Sequence, residues 1–154
     1  ISPTRAEHVL KSLNGRIPLI IDAGPTEQGL ESTILALTDG SPRLLRPGPI
    51  TVDLPLHQAA SIEAPGQMTS HYAPAKPLRL NVTDRHPDEW LIGFGDMACD
   101  ANLSPTGDLT EAAARLFDLL HQADSATTRT IAVAPVPHSG LGLAINDRLA
   151  RAAA

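Results

Sequence analysis

Apolar positions recur at two different periods along this chain, and a proline-rich stretch separates them. Val9, Leu10 and Leu13 follow Thr4-Arg5-Ala6-Glu7 at helical spacing, so a capping box opens a first helix that Gly15 stops. Ile17 to Asp22 is a short apolar run and predicts a buried strand; Ser32 to Leu37 predicts a second. Asp39-Gly40 is a hairpin signal, with Arg43 to Arg46 as the returning strand. Residues 49 to 60 predict one short helix, interrupted by Pro55. Residues 61 to 77 carry Pro65, Pro74 and Pro77 with little periodicity, which makes them a stiff, partly extended tether.

Beyond the tether the pattern changes. Leu78 to Val82 and Trp90 to Phe94 read as strands. Asp108 caps a helix with Glu111 three residues on, and Leu109, Ala113, Leu116 and Leu120 form its apolar stripe. Thr130 to Val136 is a third strand, and Gly140-Leu141-Gly142 leads into a helix over Ala144 to Ala153. Strand, helix, strand, glycine turn and helix in this order predict a small parallel α/β unit.

Composition narrows the class. The chain has 154 residues, 42% hydrophobic and 19% charged, the balance of a globular protein. Aromatics are only 3%, so Leu, Ile, Val and Ala must build the core. Two cores of about 70 residues each would be marginal alone, and contact between them or with further chain is expected. Net charge is −5 with no basic run, which argues against nonspecific nucleic-acid binding. Cys99 is the single cysteine, so no internal disulfide forms and a reducing compartment is expected. No apolar run is long enough for a transmembrane helix, and no signal-like segment opens the chain, so the expected location is cytoplasmic, without a membrane partner. The chain starts on Ile1 as if cut inside a larger protein.

Several residues invite chemistry. Arg46 stands at a strand end before Pro47-Gly48, where its planar fork suits a phosphate or carboxylate; a plain surface arginine is the other reading. Glu31-Ser32-Thr33 follows Gly29, and short hydroxyls beside a glycine suit an anionic group, as they also suit an ordinary strand edge. Tyr72 is the only tyrosine, and it sits in the tether, where it would lie on the folded part or act as a closing lid over an adenine or phosphate. The neighbouring His71 is either catalytic or an anchor. The six histidines show no zinc-binding spacing, and Cys99 reads as an inert thiol. Gly140-x-Gly142 is part of a dinucleotide fingerprint, but Ile145 stands where the third glycine would be.

Three groups of motifs, in this order and at these spacings, resemble the threonylcarbamoyl-adenylate synthase family of the two-domain YrdC type. Ser2-Pro3-Thr4, His8-Val9, Ile21-Asp22-Ala23-Gly24, Gly29 to Ile34 and Leu45 to Gly48 resemble the last third of its catalytic domain. Pro65-Gly66 and His71-Tyr72-Ala73-Pro74 resemble its linker, and residues 78 to 154, with Ala144 to Leu149, its C-terminal domain. The resemblance implies a partial YrdC-like α/β domain over residues 1–59, an interdomain linker over 60–77 and a small Rossmann-like parallel α/β domain over 78–154. It implies a nucleotidyltransferase that makes threonylcarbamoyl-AMP and pyrophosphate from ATP, L-threonine and bicarbonate, with Mg²⁺ the expected metal. A separate threonylcarbamoyltransferase would pass the group to an adenosine of tRNA, linking the chain to tRNA directly or indirectly. By motif position, Ser2, Arg46 and Tyr72 would bind ATP and Ser32 would bind L-threonine; no catalytic residue and no metal ligand is assigned. The family's catalytic domain begins well before Ser2 and its basic nucleotide motif is not in this sequence, so the chain is expected to be inactive alone. The alternatives are a noncatalytic α/β ligand-binding or regulatory module, and a phosphate-binding transferase half that assembles with another chain.

Overall fold

The computed structural model describes residues 1–38, 40–57 and 61–154. In chain order its elements are α1 (Ala6–Leu13), β1 (Ile34–Ala36), β2 (Arg43–Arg46), β3 (Leu78–Arg79), β4 (Glu89–Gly93), β5 (Ala101–Asn102), α2 (Leu109–Ser125), β6 (Thr130–Val133) and α3 (Leu141–Ala152). The four-stranded sheet has order β3-β6-β4-β5, and every pair in it is parallel, as the alternation of strands and helices predicts.

Side chains alternate across that sheet. Ile92, Ile131 and Val133 face the main core, which α2 fills with Leu116, Phe117 and Leu120 and α3 with Ile145 and Leu149. Leu91 and Ala132 face the other side, where Val82 covers them with help from Met97 and Cys99. Helix α2 starts where its cap dictates: the Asp108 carboxylate accepts from the Thr110 and Glu111 backbone N–H groups at 2.6 and 2.9 Å. Strand β3 stops after two residues because Asn81 turns into the left-handed region, at φ 55°. Strand β6 stops before Pro135, which has no N–H to continue the ladder. In α3, a Cβ on Gly142 would overlap the Pro137 carbonyl, so Gly142 serves close packing of helix on loop, while Gly140 supplies the left-handed turn before it, at φ 51°.

The first part is built differently. Strands β1 and β2 form an antiparallel ribbon; Asp39 of the predicted turn lies outside the described residues. Ile17 to Asp22 is not a strand. No strand among the described residues pairs with it, and Leu19 and Ile21 stand exposed. The helix predicted within 49–60 is absent over 49–57, and residues 58–60 lie outside the described residues. Pro49 and Pro55 hold the residues before them away from helical backbone, and Leu56 bridges to Leu44 instead. The capping box at Thr4 also fails: α1 begins after Arg5 with no side-chain cap, and the Thr4 backbone N–H donates to His8.

Residues 61–77 contain no helix or strand. They run in turns against both parts. Gln67 receives the Glu63 and Ala64 N–H groups and donates to the Leu45 carbonyl, while Asp124 of α2 accepts from the Ala75 and Lys76 N–H groups.

Candidate functional site

Glu31 is the hub of a half-buried polar cluster that draws on four distant stretches of chain. The Ser2 hydroxyl donates to Glu31 Oε1. Arg148 of α3 donates from Nε to Glu31 Oε2 at 2.8 Å and from Nη2 to the Pro47 carbonyl at 3.0 Å. Its remaining nitrogen meets Asp147 at 2.7 Å, and Asp147 in turn holds Arg151 at 3.1 Å. Arg148 is fully buried and lies 5.4 Å from the centre of the Tyr72 ring.

Ser32, next to Glu31, is tied to Arg46. The guanidinium donates from Nε to the Ser32 carbonyl at 3.0 Å, from Nη2 to Ser32 Oγ at 3.3 Å and from Nη1 to the Pro65 carbonyl at 3.2 Å. Arg46 is buried although charged, because strand β2 carries it under the 61–77 segment. Gly66 admits it: a Cβ there would overlap the Tyr72 hydroxyl and press on Arg46 Cδ.

Tyr72 is buried against Phe117, with ring centres 5.5 Å apart, and against the edge of His71 at 3.9 Å. Its backbone sits in the left-handed region, at φ 64°, which is uncommon for an aromatic residue and requires surrounding structure to hold it. Its hydroxyl makes no hydrogen bond of good geometry, even with the Arg46 guanidinium alongside. A buried, unpaired hydroxyl beside a buried guanidinium is an arrangement that lacks an acceptor. The segment is pinned there by α3, for Arg151 donates to the Gln67 and Met68 carbonyls at 2.9 and 2.7 Å, and the His71 N–H donates to the Arg151 carbonyl.

The electrostatics follow from these contacts. Burial pushes the Glu31 carboxyl up, but hydrogen bonds from Ser2 and Arg148 outweigh it and hold the group below its ordinary value. Burial raises the Tyr72 phenol against the opposing pull of Arg148, so it stays a neutral donor. Ser2, Ser32, Arg46 and Tyr72, which come from the two ends and middle of the first 72 residues, thus share one cluster. The sequence reading passed over Arg148 as a site residue. Its signal was available: it stands on the α3 stripe with Ala144, Ile145 and Ala152, where an arginine must find partners inside the protein.

A small parallel-sheet domain whose last helix braces a two-stranded ribbon through a buried arginine defines the class, an α/β protein of Rossmann-like build. The chain belongs to the threonylcarbamoyl-AMP synthase family, since the model for the C-terminal domain of threonylcarbamoyl-AMP synthase matches residues 26–154. A second family model, described as telomere recombination, matches residues 1–48. The chain is 34% identical to threonylcarbamoyl-AMP synthase of Bacillus subtilis, over 99% of this chain and 53% of that protein. It is 32% identical to that of Pyrococcus abyssi, over 98% of this chain and 54% of the relative. The crystal structure of P. abyssi Sua5 complexed with L-threonine superposes with a TM-score of 0.83 at 30% identity, covering 99% of this chain and 54% of that one. A P. abyssi Sua5 variant with a histidine and the following tyrosine changed to alanine superposes at 0.79 and 28% identity, covering 99% and 53%. The chain therefore spans about half the length of the relatives it matches.

Proposed function

We propose that the complete gene product is a threonylcarbamoyl-AMP synthase, making threonylcarbamoyl-AMP and pyrophosphate from ATP, L-threonine and bicarbonate. Family membership supports the reaction, and the L-threonine complex of P. abyssi Sua5 supports the amino-acid substrate. The observation that carries the reading for this chain is the junction of Ser32, Arg46 and Tyr72 beside Glu31 and Ser2. In it, Arg46 and the free Tyr72 hydroxyl supply donors to phosphate oxygens, Ser2 adds a hydroxyl to the nucleotide site, and Ser32 contacts L-threonine. His71-Tyr72 is this chain's only His-Tyr pair, the residue types altered in the P. abyssi variant.

Residues 1–59 would complete the catalytic domain, 60–77 form the linker and 78–154 the C-terminal domain. The described residues offer no Mg²⁺ cage. No cluster of three His, Cys, Asp or Glu exists among the described residues, and both Glu31 oxygens are engaged by Ser2 and Arg148. Mg²⁺ would arrive on the triphosphate as part of the substrate. No helix among the described residues is long and apolar enough to cross a membrane; we place the reaction in the cytoplasm, upstream of a threonylcarbamoyltransferase acting on tRNA. Pyrophosphate release from ATP by the complete gene product tests the reading. Release that requires both L-threonine and bicarbonate is the expected result; release indifferent to threonine refutes it.

A further inference from the structure

Two histidines that the proposed chemistry leaves unused hold the backbone on either side of Pro3. His8 lies on α1 and His121 on α2, and their rings stack 3.7 Å apart with 19° between planes. The Thr4 backbone N–H lies 3.1 Å from His8 Nδ1. A backbone N–H only donates, so Nδ1 is bare and the ring hydrogen sits on Nε2, which faces Asp118 Oδ1 at 3.6 Å. The Ser2 carbonyl lies 3.1 Å from His121 Nε2. A carbonyl only accepts, so that nitrogen carries the hydrogen. Each neutral ring thus fixes one end of the Ser2–Thr4 backbone. The Thr4 carbonyl accepts from the Thr26 N–H at 3.0 Å, and the Ser2 side chain reaches Glu31.

A second proton on His8 would sit on Nδ1 and point at the Thr4 N–H, breaking that bond. Protons on both rings would stack like charges face to face. Asp118 of α2 and Glu7 of α1 favour a charged ring at this place; Arg5 and Lys11 oppose one. Burial is the largest influence, and both imidazoles fall below their ordinary value.

We propose that His8 and His121 are positioning residues for Ser2: as a neutral stacked pair they set the Ser2–Thr4 backbone so that Ser2 reaches the nucleotide, and protonation of the pair releases it. The inference rests on the assignment of Ser2 to ATP made above.

The test is calorimetric titration of the complete gene product with ATP across about pH 5.5 to 8, the imidazole range. His8→Asn puts an amide oxygen where Nδ1 accepts, and His121→Gln puts an amide N–H where Nε2 donates; neither titrates. Wild-type affinity should fall about tenfold toward the acid end of that range, because both imidazoles titrate below their ordinary value. The Asn/Gln double variant should match wild type near neutral pH and lose that fall. The double alanine variant should bind about tenfold more weakly throughout. A wild-type pH profile in the Asn/Gln variant, or unimpaired binding by the alanine variant, overturns the proposal. Ring-nitrogen NMR of the wild-type protein, labelled at histidine, reads the pair without ATP. Both rings should be neutral with the hydrogen on Nε2 at neutral pH, and a charged ring or an Nδ1–H form there also overturns it. Absent ATP binding with the expected tautomers would instead reject the nucleotide assignment, and with it the role given to Ser2.

Discussion

Replacing Arg148 by methionine keeps the aliphatic stem and deletes the guanidinium at the centre of the cluster. Removing one partner of a buried ion pair costs about 3–5 kcal/mol, because the other charge stays behind. Here the low end applies. Glu31 retains the Ser2 hydroxyl, its side chain keeps 24% of its exposure, and Asp147 retains Arg151. The lost cation–π contact with Tyr72 adds about 1 kcal/mol. The sum, about 4 kcal/mol, corresponds to a urea midpoint lowered by about 2 M at a slope of about 2 kcal/mol/M. Trp90 on β4 is the only tryptophan, so its fluorescence follows the unfolding of the sheet directly. The decisive measurement is the double variant. Adding Glu31→Gln to Arg148→Met removes the stranded charge and should recover a good part of the loss. A midpoint shift under about 0.5 M for Arg148→Met, or a double variant no more stable than the single one, refutes the reasoning.

Other outcomes follow from separate contacts. The Arg79 guanidinium and the His86 N–H hold the Glu89 carboxyl at about 2. A carboxyl lowered on folding stabilises above its ordinary value and loses that contribution as pH falls, so stability should decline from about pH 4.5 toward 2. Glu89→Gln should flatten this limb of an acid titration followed by Trp90 fluorescence. Arg46→Ala in the complete gene product should weaken ATP use by about ten- to a hundredfold, with Arg46→Lys recovering only part, since lysine brings charge without the fork; steady-state pyrophosphate assays decide it. Gly142→Ala should destabilise by about 2 kcal/mol or more in urea, because its methyl meets the Pro137 carbonyl rather than open space.

What the sequence made legible was whatever depends on neighbours along the chain. The Asp108 cap, the α2 stripe and strands β2, β4 and β6 are local patterns, and they appear within a few residues of where periodicity puts them. Ile17 to Asp22 shows the opposite case. Its composition suits a strand, but a strand exists only beside another, and none among the described residues pairs with it. The 49–57 stretch has the length of a helical turn or two, yet its prolines and the Leu44 bridge keep it out of a helix. Ser2, Ser32, Arg46 and Tyr72 were visible through motif resemblance. Their connection to α3 was not, because Arg148 and Glu31 lie 117 positions apart and no periodicity spans such a gap.

That separation also orders events in time. During synthesis at about 5–20 residues per second, Glu31 leaves the ribosome roughly 6–23 s before the arginine that neutralises it. Arg5 waits a similar interval for Asp118, 113 positions on. Through that interval the ribbon carries an acidic group it cannot bury, so early collapse of the first part is disfavoured. Helix α3 closes that interval: until Arg148 is made, Glu31 lacks the cation that partners it in the fold.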